Sequence, residues 1–318
     1  MRKSIVFMLI ALLMIASTVH GYEVTVDNCG KKVTFDKVPE RVIVHDINMT
    51  EMALALGLND KMVGVTGITG WYKTSDEFNK KLGNIPELAP KYPNMENLIQ
   101  AKPDLFIAGW YYGMKPGGEV TPDTLAPYGV KTLILTESCI HKDKNRPAAD
   151  MNLLYDDILR LGKVFNKQDK AEKLVAEWKN KISSIADIRA KNSGTKVFLF
   201  DSGKEKPFTA GKHAIVTAMI EAAGGVNILS DMKTSWGRGS WEVVASRNPE
   251  FLILLDYQNG GGAKDLMAFL KKHPAMRETS AVKNERYIPL RYEELTPGPA
   301  NIEAIIKIAN AIYKTGDK

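Results

Sequence analysis

The chain has 318 residues, 44% of them hydrophobic, with 43 basic against 37 acidic side chains and a formal net charge of +6. So mild a charge argues against a dedicated nucleic-acid binder, which must neutralise many phosphates. The length calls for two domains rather than one.

Arg2 and Lys3 open the chain, Ile5 to Ala16 form an almost unbroken apolar run, and Val19-His20-Gly21 offers a small residue before Tyr22. A charged start, a short apolar core and a small-residue exit read as a secretory leader over 1–21, cleaved near Gly21. The run is too short to span a bilayer comfortably, no other stretch approaches that length, and no cysteine flanks the cleavage point. A free, exported mature chain is therefore expected. Both cysteines, Cys29 and Cys139, survive processing. In an oxidising compartment an even pair is expected to be bridged, and two sulfurs alone fall short of a metal–thiolate site. The bridge would tie the opening hairpin to the segment after Leu133-Ile134-Leu135.

Val24 to Phe35 alternates around Asn28-Cys29-Gly30-Lys31 and reads as that hairpin. Short apolar strands then alternate with helical patterns. Strands are expected at 42–44, 62–65, 105–108 and 132–135, with helices at 49–56 and 94–101 and another near 121–127. A second set of strands, at 196–200, 251–255 and 287–290, is interleaved with helices at 214–223, 241–246, 264–270 and 301–313. Such alternation implies crossover connections and largely parallel sheets. Between the sets, Gln168 to Lys191 lacks Gly and Pro and places Leu174, Val175, Trp178, Ile182 and Ile185 on one helical face. The pattern predicts a single helix of about 35 Å, a stiff strut that leaves the two α/β units little freedom to move.

One motif occurs once in each unit. Glu96 lies seven residues before Pro103-Asp104, which leads through Leu105 to Ala108 and on to Tyr111; Glu242, Pro249-Glu250, Phe251 to Leu255 and Tyr257 repeat that spacing. A proline that stops a helix before a strand explains the prolines, but not the matched glutamates and tyrosines.

Ligands of open α/β sheets bind where strands end. The residues placed there are aromatic: Trp71 and Tyr72, Trp110, Tyr111 and Tyr112, Phe208, Trp236 and Trp241, Tyr257, and Tyr292. Together they indicate a broad aromatic cleft. Among the interleaved cations, Lys204 and Lys212 read as solvated charges, whereas Arg238, between two tryptophans, and Arg291 suit a delocalised anion or a planar chelate. His45 follows a strand and is a further cleft candidate. No bare metal site is expected, because several convergent ligands would be needed. G-x-S-x-G, P-loop and G-x-G-x-x-G patterns are all absent from the sequence, Gly260-Gly261-Gly262 reads as a turn, and no cofactor is expected.

Several stretches match one family in order and spacing. They are Val24 to Val44, which contains Val38-Pro39-Glu40-Arg41-Val42-Ile43, then Met95 to Ile107 and Trp241 to Ile253. Ala171-Glu172-Lys173-Leu174, and His273-Pro274-Ala275 ahead of Val282-Lys283-Asn284, complete the set. Over essentially the whole mature chain the sequence resembles the periplasmic binding proteins of iron-siderophore, haem and cobalamin importers. The resemblance implies two α/β sandwich lobes with mainly parallel sheets, over 22–167 and 192–318. They would be joined by one long rigid helix over 168–191, with the ligand cleft between them. It also implies a monomeric periplasmic protein without catalysis, whose Glu96 and Glu242 meet arginines of an ABC permease. The aromatic and arginine content ranks a ferric siderophore first as cargo, a corrinoid second, and haem, with Tyr111, Tyr257 or His45 as axial ligand, third. An exported enzyme or sensor on the same scaffold is the alternative from another class.

Overall fold

The computed structural model describes residues 22–70, 74–257 and 261–316. The expected leader and the expected cleft residues Trp71 and Tyr72 lie outside the described residues.

The chain opens with the antiparallel hairpin β1 (Val24–Asn28) and β2 (Lys31–Phe35). Its two-residue turn has Cys29 at φ 57° and Gly30 at φ 80°, the paired positive φ values of a type I′ turn. Then follow β3 (Val42–His45), α1 (Ile47–Leu56), β4 (Met62–Thr66), α2 (Asp76–Leu82), β5 (Glu87–Ala89) and α3 (Met95–Gln100). The first unit continues with β6 (Leu105–Trp110), β7 (Gly113–Met114), α4 (Pro122–Leu125) and β8 (Lys131–Ile134). Its sheet runs β5-β4-β3-β6-β8, every pair parallel, with short β7 against the end of β6.

Three helices lead away from this sheet: α5 (Asn152–Val164), α6 (Gln168–Ser183) and α7 (Ala186–Lys191). The single helix expected over 168–191 is thus two, broken at Ser184 and Ile185. The break follows the Ser183-Ser184 pair: the Ser184 hydroxyl donates to the Lys181 carbonyl at 2.7 Å, and Ile185 turns inward and is buried.

The second unit contains β9 (Thr195–Phe200), β10 (Phe208–Ala210), α8 (Ile215–Ala222), β11 (Gly225–Asn227) and β12 (Trp236–Arg238). It continues with α9 (Trp241–Arg247), β13 (Phe251–Leu255), α10 (Gly262–Lys272), α11 (Ser280–Lys283), β14 (Tyr287–Leu290), α12 (Tyr292–Leu295) and α13 (Ala300–Gly316). Its sheet is β11-β9-β13-β14, all parallel, while β10 and β12 form a separate antiparallel ribbon.

Strand alternation sorts the core. Val42 and Val44 of β3, Leu105 and Ile107 of β6, Val197 and Leu199 of β9, and Phe251, Ile253 and Leu255 of β13 belong to one continuous buried cluster. Ile158 and Leu161 of α5, Val175 and Trp178 of α6, and Ile305 and Ile308 of α13 join it. The intervening residues point the other way: Ile43, Phe106 and Ala108 pack under α3, and Phe198, Phe200, Leu252 and Leu254 pack under α9 and α10. One apolar layer is therefore shared by both sheets.

The repeated motif has a backbone role in both units. Lys102 (φ 48°) and Asn248 (φ 47°) turn the chain out of α3 and α9, each just before its proline. Asp104 then accepts the N–H groups of Glu40 and Arg41 at 2.9 and 3.0 Å, and Glu250 accepts that of Lys196 at 2.8 Å. In each sheet the acid thereby holds the start of the neighbouring strand in register.

Cys29 and Cys139 are bonded, with Cα atoms 5.2 Å apart and a sequence separation of 110. Replacing both by serine should cost about 2–4 kcal/mol, the usual worth of a disulfide. The measurement is the urea midpoint with and without reductant; an unchanged midpoint refutes the expectation.

Candidate functional site

Parallel strands in both sheets deliver their carboxyl ends to one cleft of about 390 Å³. Tyr111 and Tyr112 follow β6, His141 closes the turn after β8, Asp201 follows β9, Tyr257 lies beyond β13, and Tyr292 follows β14. Phe208 and Trp236 add the two strands of the ribbon, their rings stacked 6.1 Å apart, and Ser235 and Thr296 complete the wall.

Backbone strain aims two of these groups. Tyr111 has φ 66°, a conformation that bulky side chains avoid, and it leaves the ring 52% exposed at the cleft mouth. Its ring meets His141 edge-on at 4.6 Å, and its carbonyl accepts the hydroxyl of Tyr92. Asp46, ahead of α1, has φ 71° and ψ 153°, a region that only glycine visits freely. Its carboxylate accepts the N–H of Ile47 at 2.8 Å and the hydroxyl of Tyr292 at 2.9 Å. The second of these bonds joins the two sheets' loops beneath the cleft. Asn48 Nδ2 donates to the Pro297 carbonyl at 2.8 Å and reinforces the same seam.

The chemistry of the wall is aromatic and hydroxylic. Tyr257 donates to Asp201 Oδ2 at 3.0 Å, and Ser202 donates to the other oxygen. Burial nevertheless raises the Asp201 carboxyl above its ordinary range. Burial, with the Asp201 charge second, holds the Tyr257 phenol far above its ordinary value. Tyr112 is raised in the same way, by burial first and then by Glu137, to which it donates at 3.0 Å. Burial lowers His141, with Lys144 adding to the effect. These groups are placed for hydrogen bonding and ring contact. Among the described residues no group of three or more His, Cys, Asp or Glu side chains could hold a metal ion.

The structure brings Tyr111, Tyr112, Phe208, Trp236, Tyr257 and Tyr292 together and places the other described candidates elsewhere. Trp110 is buried on the outer face of β6 beneath Lys142, because it continues the alternation of Phe106 and Ala108. His45 is 2% exposed, with its Nδ1 2.8 Å from the Thr66 hydroxyl. Any Cβ on Gly67 or Gly113 would meet its ring at 2.5 or 2.6 Å, so two glycines form the slot that seals this imidazole. Arg238 is exposed at the end of β12, where its guanidinium reaches over the Gly203 turn. Arg291 pairs with Glu293 at 2.9 Å and lines a separate cavity between α1, α2 and α13. Trp241 is core, its indole donating to the Lys204 carbonyl at 2.8 Å. Glu96 and Glu242 are exposed in the first turns of α3 and α9. His141, Asp201, Ser235 and Thr296 are cleft residues that the strand-end aromatic pattern does not pick out; the segment past the end of β8 holds His141 as the segments past the other strands hold their aromatics.

A family profile for periplasmic binding proteins matches residues 42–292. The chain belongs to this family. The Bacillus subtilis "uncharacterized ABC transporter substrate-binding lipoprotein YvrC" is 26% identical over 92% of this chain and 86% of its own length. A "vitamin B12-binding protein" of Yersinia pestis is 27% identical over 69% of this chain and 71% of its own. The crystal structure of a periplasmic binding protein from Veillonella parvula superposes with a TM-score of 0.80 at 25% identity, covering 92% of this chain and 98% of that one. The chain is a substrate-binding component of an ABC transporter and not an enzyme.

His45 gives a pH signature. Burial holds its imidazole down to about 3 against an ordinary 6.5. The folded protein leaves it neutral where the unfolded chain takes up a proton, so its contribution to stability is complete above 6.5 and is lost as pH falls toward 3. Its ring resonances should not titrate near neutral pH, and a midpoint close to 6.5 would contradict the sealed slot.

Proposed function

We propose that the cargo is a corrinoid, a cobalamin or a close relative, delivered to a membrane permease. The supporting observation is the cleft wall. Six aromatic rings, one carboxylate, one imidazole and two hydroxyl residues line it, without a lysine or arginine among the described residues. An anionic ferric chelate would call on Arg238 and Arg291. The first lies on the exposed end of the ribbon, and glutamates engage the second in a different cavity. A chelate of high negative charge, or the two carboxylates of haem, would draw on such cations for charge-assisted hydrogen bonds. A corrin ring instead carries neutral carboxamides at its rim and flat apolar faces. Phenols, hydroxyls and the Asp201 carboxylate suit the amides, and the stacked rings of Phe208 and Trp236 suit the faces. The similarity to a vitamin B12-binding protein supports the same choice.

Residues 1–21 are taken as a leader removed near Gly21, which sends the mature chain to the periplasm. The lobes at 22–167 and 192–318 each contain one parallel sheet. Glu96 and Glu242, exposed at matching positions of the repeat, are taken as the permease contacts, one for each lobe.

Tryptophan fluorescence of the mature protein, titrated with cyanocobalamin, haemin and a ferric hydroxamate, tests the cargo. Saturable quenching by cyanocobalamin is expected; saturation by the hydroxamate alone would return the cargo to the iron chelates. Glu96→Ala and Glu242→Ala should leave that affinity unchanged while each lowers transport by roughly tenfold, about the worth of one charge-assisted pair. Loss of binding in the purified double variant would remove the docking role.

A further inference from the structure

Glu137 lies in the turn after β8 and is 2% exposed, yet it makes no ion pair of its own among the described residues. Its Oε2 accepts the backbone N–H of Ile215 at 2.6 Å, at the N-terminus of α8 in the second lobe. Its Oε1 accepts the Tyr112 hydroxyl at 3.0 Å. The indole of Trp236 also favours the ionised carboxylate, although its buried Nε1–H completes no hydrogen bond of good geometry. Two neighbouring contacts stitch the same strip: Ala149 N–H donates to the Lys212 carbonyl at 2.9 Å, and His213 Nδ1 lies 2.8 Å from the Pro147 carbonyl. Tyr112 comes from the first lobe and Trp236 from the second, and both line the cleft.

We propose that Glu137 is the positioning residue of the cleft, a single buried carboxylate that ties α8 to the first lobe and sets the Tyr112 and Trp236 rings that hold the cargo. The inference rests on the cleft being the cargo site. A carboxylate only accepts hydrogen bonds, so donors from three elements can converge on it; protonation or amidation replaces an acceptor with a donor and sets the groups against one another. The unfilled Trp236 N–H is the adjustable member, which a small turn of the ring would bring to Glu137 or to an acceptor on the cargo.

Other groups near the carboxyl are few. Asp157, paired with Arg160 on α5, is the adjacent charge; Tyr112 faces it from beyond β6; His141 shares its turn; and His213 precedes α8. Burial places the Glu137 carboxyl at about 7, with the Ile215 N–H, Tyr112 and Trp236 opposing the rise.

The test follows the Trp236 indole N–H by ¹H–¹⁵N spectroscopy of the whole mature protein, the resonance being assigned by its loss in Trp236→Phe. In the cargo-free wild type it should shift through a transition at neutral pH. Glu137→Gln should abolish that transition. Tyr112→Phe should move it to higher pH, because one donor to the carboxylate is gone. Cyanocobalamin affinity should fall on the order of tenfold in Glu137→Gln, as for a lost hydrogen bond to a charged group. A wild-type indole that does not titrate, or a transition that survives in Glu137→Gln, overturns the proposal. If cyanocobalamin fails to bind the wild type, the cargo reading falls, while the indole titration still decides the role of Glu137.

Discussion

Both sheets turn alternate residues toward one apolar layer, and the position of the cleft depends on that sharing. Val44 and Ile107 from one sheet and Leu199 and Ile253 from the other are fully or nearly fully buried in the same cluster, with helices α5, α6 and α13 between them. Separating the lobes would expose this surface at a cost of roughly 25 cal/mol for every Å². The strand ends are therefore held at fixed spacing, and the residues that leave them face one another across a gap of set width. A hinge of flexible chain would have left the cleft width to the ligand.

A rigid frame can carry local strain. Asp46 and Tyr111 occupy positive-φ conformations of the kind that cost about 1–3 kcal/mol each, and both flank the cleft. The strain has a use: it directs the Asp46 carboxylate at Tyr292 and swings Tyr111 off the outward path that Trp110 follows. The seam beneath the cleft is polar, with Asp46 to Tyr292, Asn48 to Pro297 and Glu137 to Ile215, and Tyr292 belongs to both the seam and the cleft wall.

The sequence announced the strongly periodic parts. All the central strands and most helices fall where alternation and apolar spacing place them, and the once-per-lobe repeat foretold two equivalent units. Three-residue strands such as β5 and β11 escaped notice because alternation needs more residues to register. Helix α5 carries a legible pattern of its own: Leu154, Ile158 and Leu161 recur at helical spacing and are buried. The strut failed as one helix because a serine pair competes with the backbone for hydrogen bonds, a local effect that the apolar stripe conceals.

For the site, strand-end position and aromatic identity picked out five tyrosines and tryptophans that the structure gathers in one cleft. Which face each residue takes is another matter. Trp110 and Tyr111 are neighbours in sequence, yet one is core and the other cleft, because a single positive φ separates them. Arg238 and Arg291 looked like ligand groups by their neighbours in sequence, while their actual surroundings, a turn and two glutamates, come from folding. By itself the sequence determined the α/β class, the twofold organisation and the chemical character of the strand ends, since these follow from periodicity and local composition. Only the tertiary structure decided which side chains share the cleft and which carboxyl joins its walls, because those pairings unite residues from 25 to 246 positions apart on different elements, whose meeting no local pattern encodes.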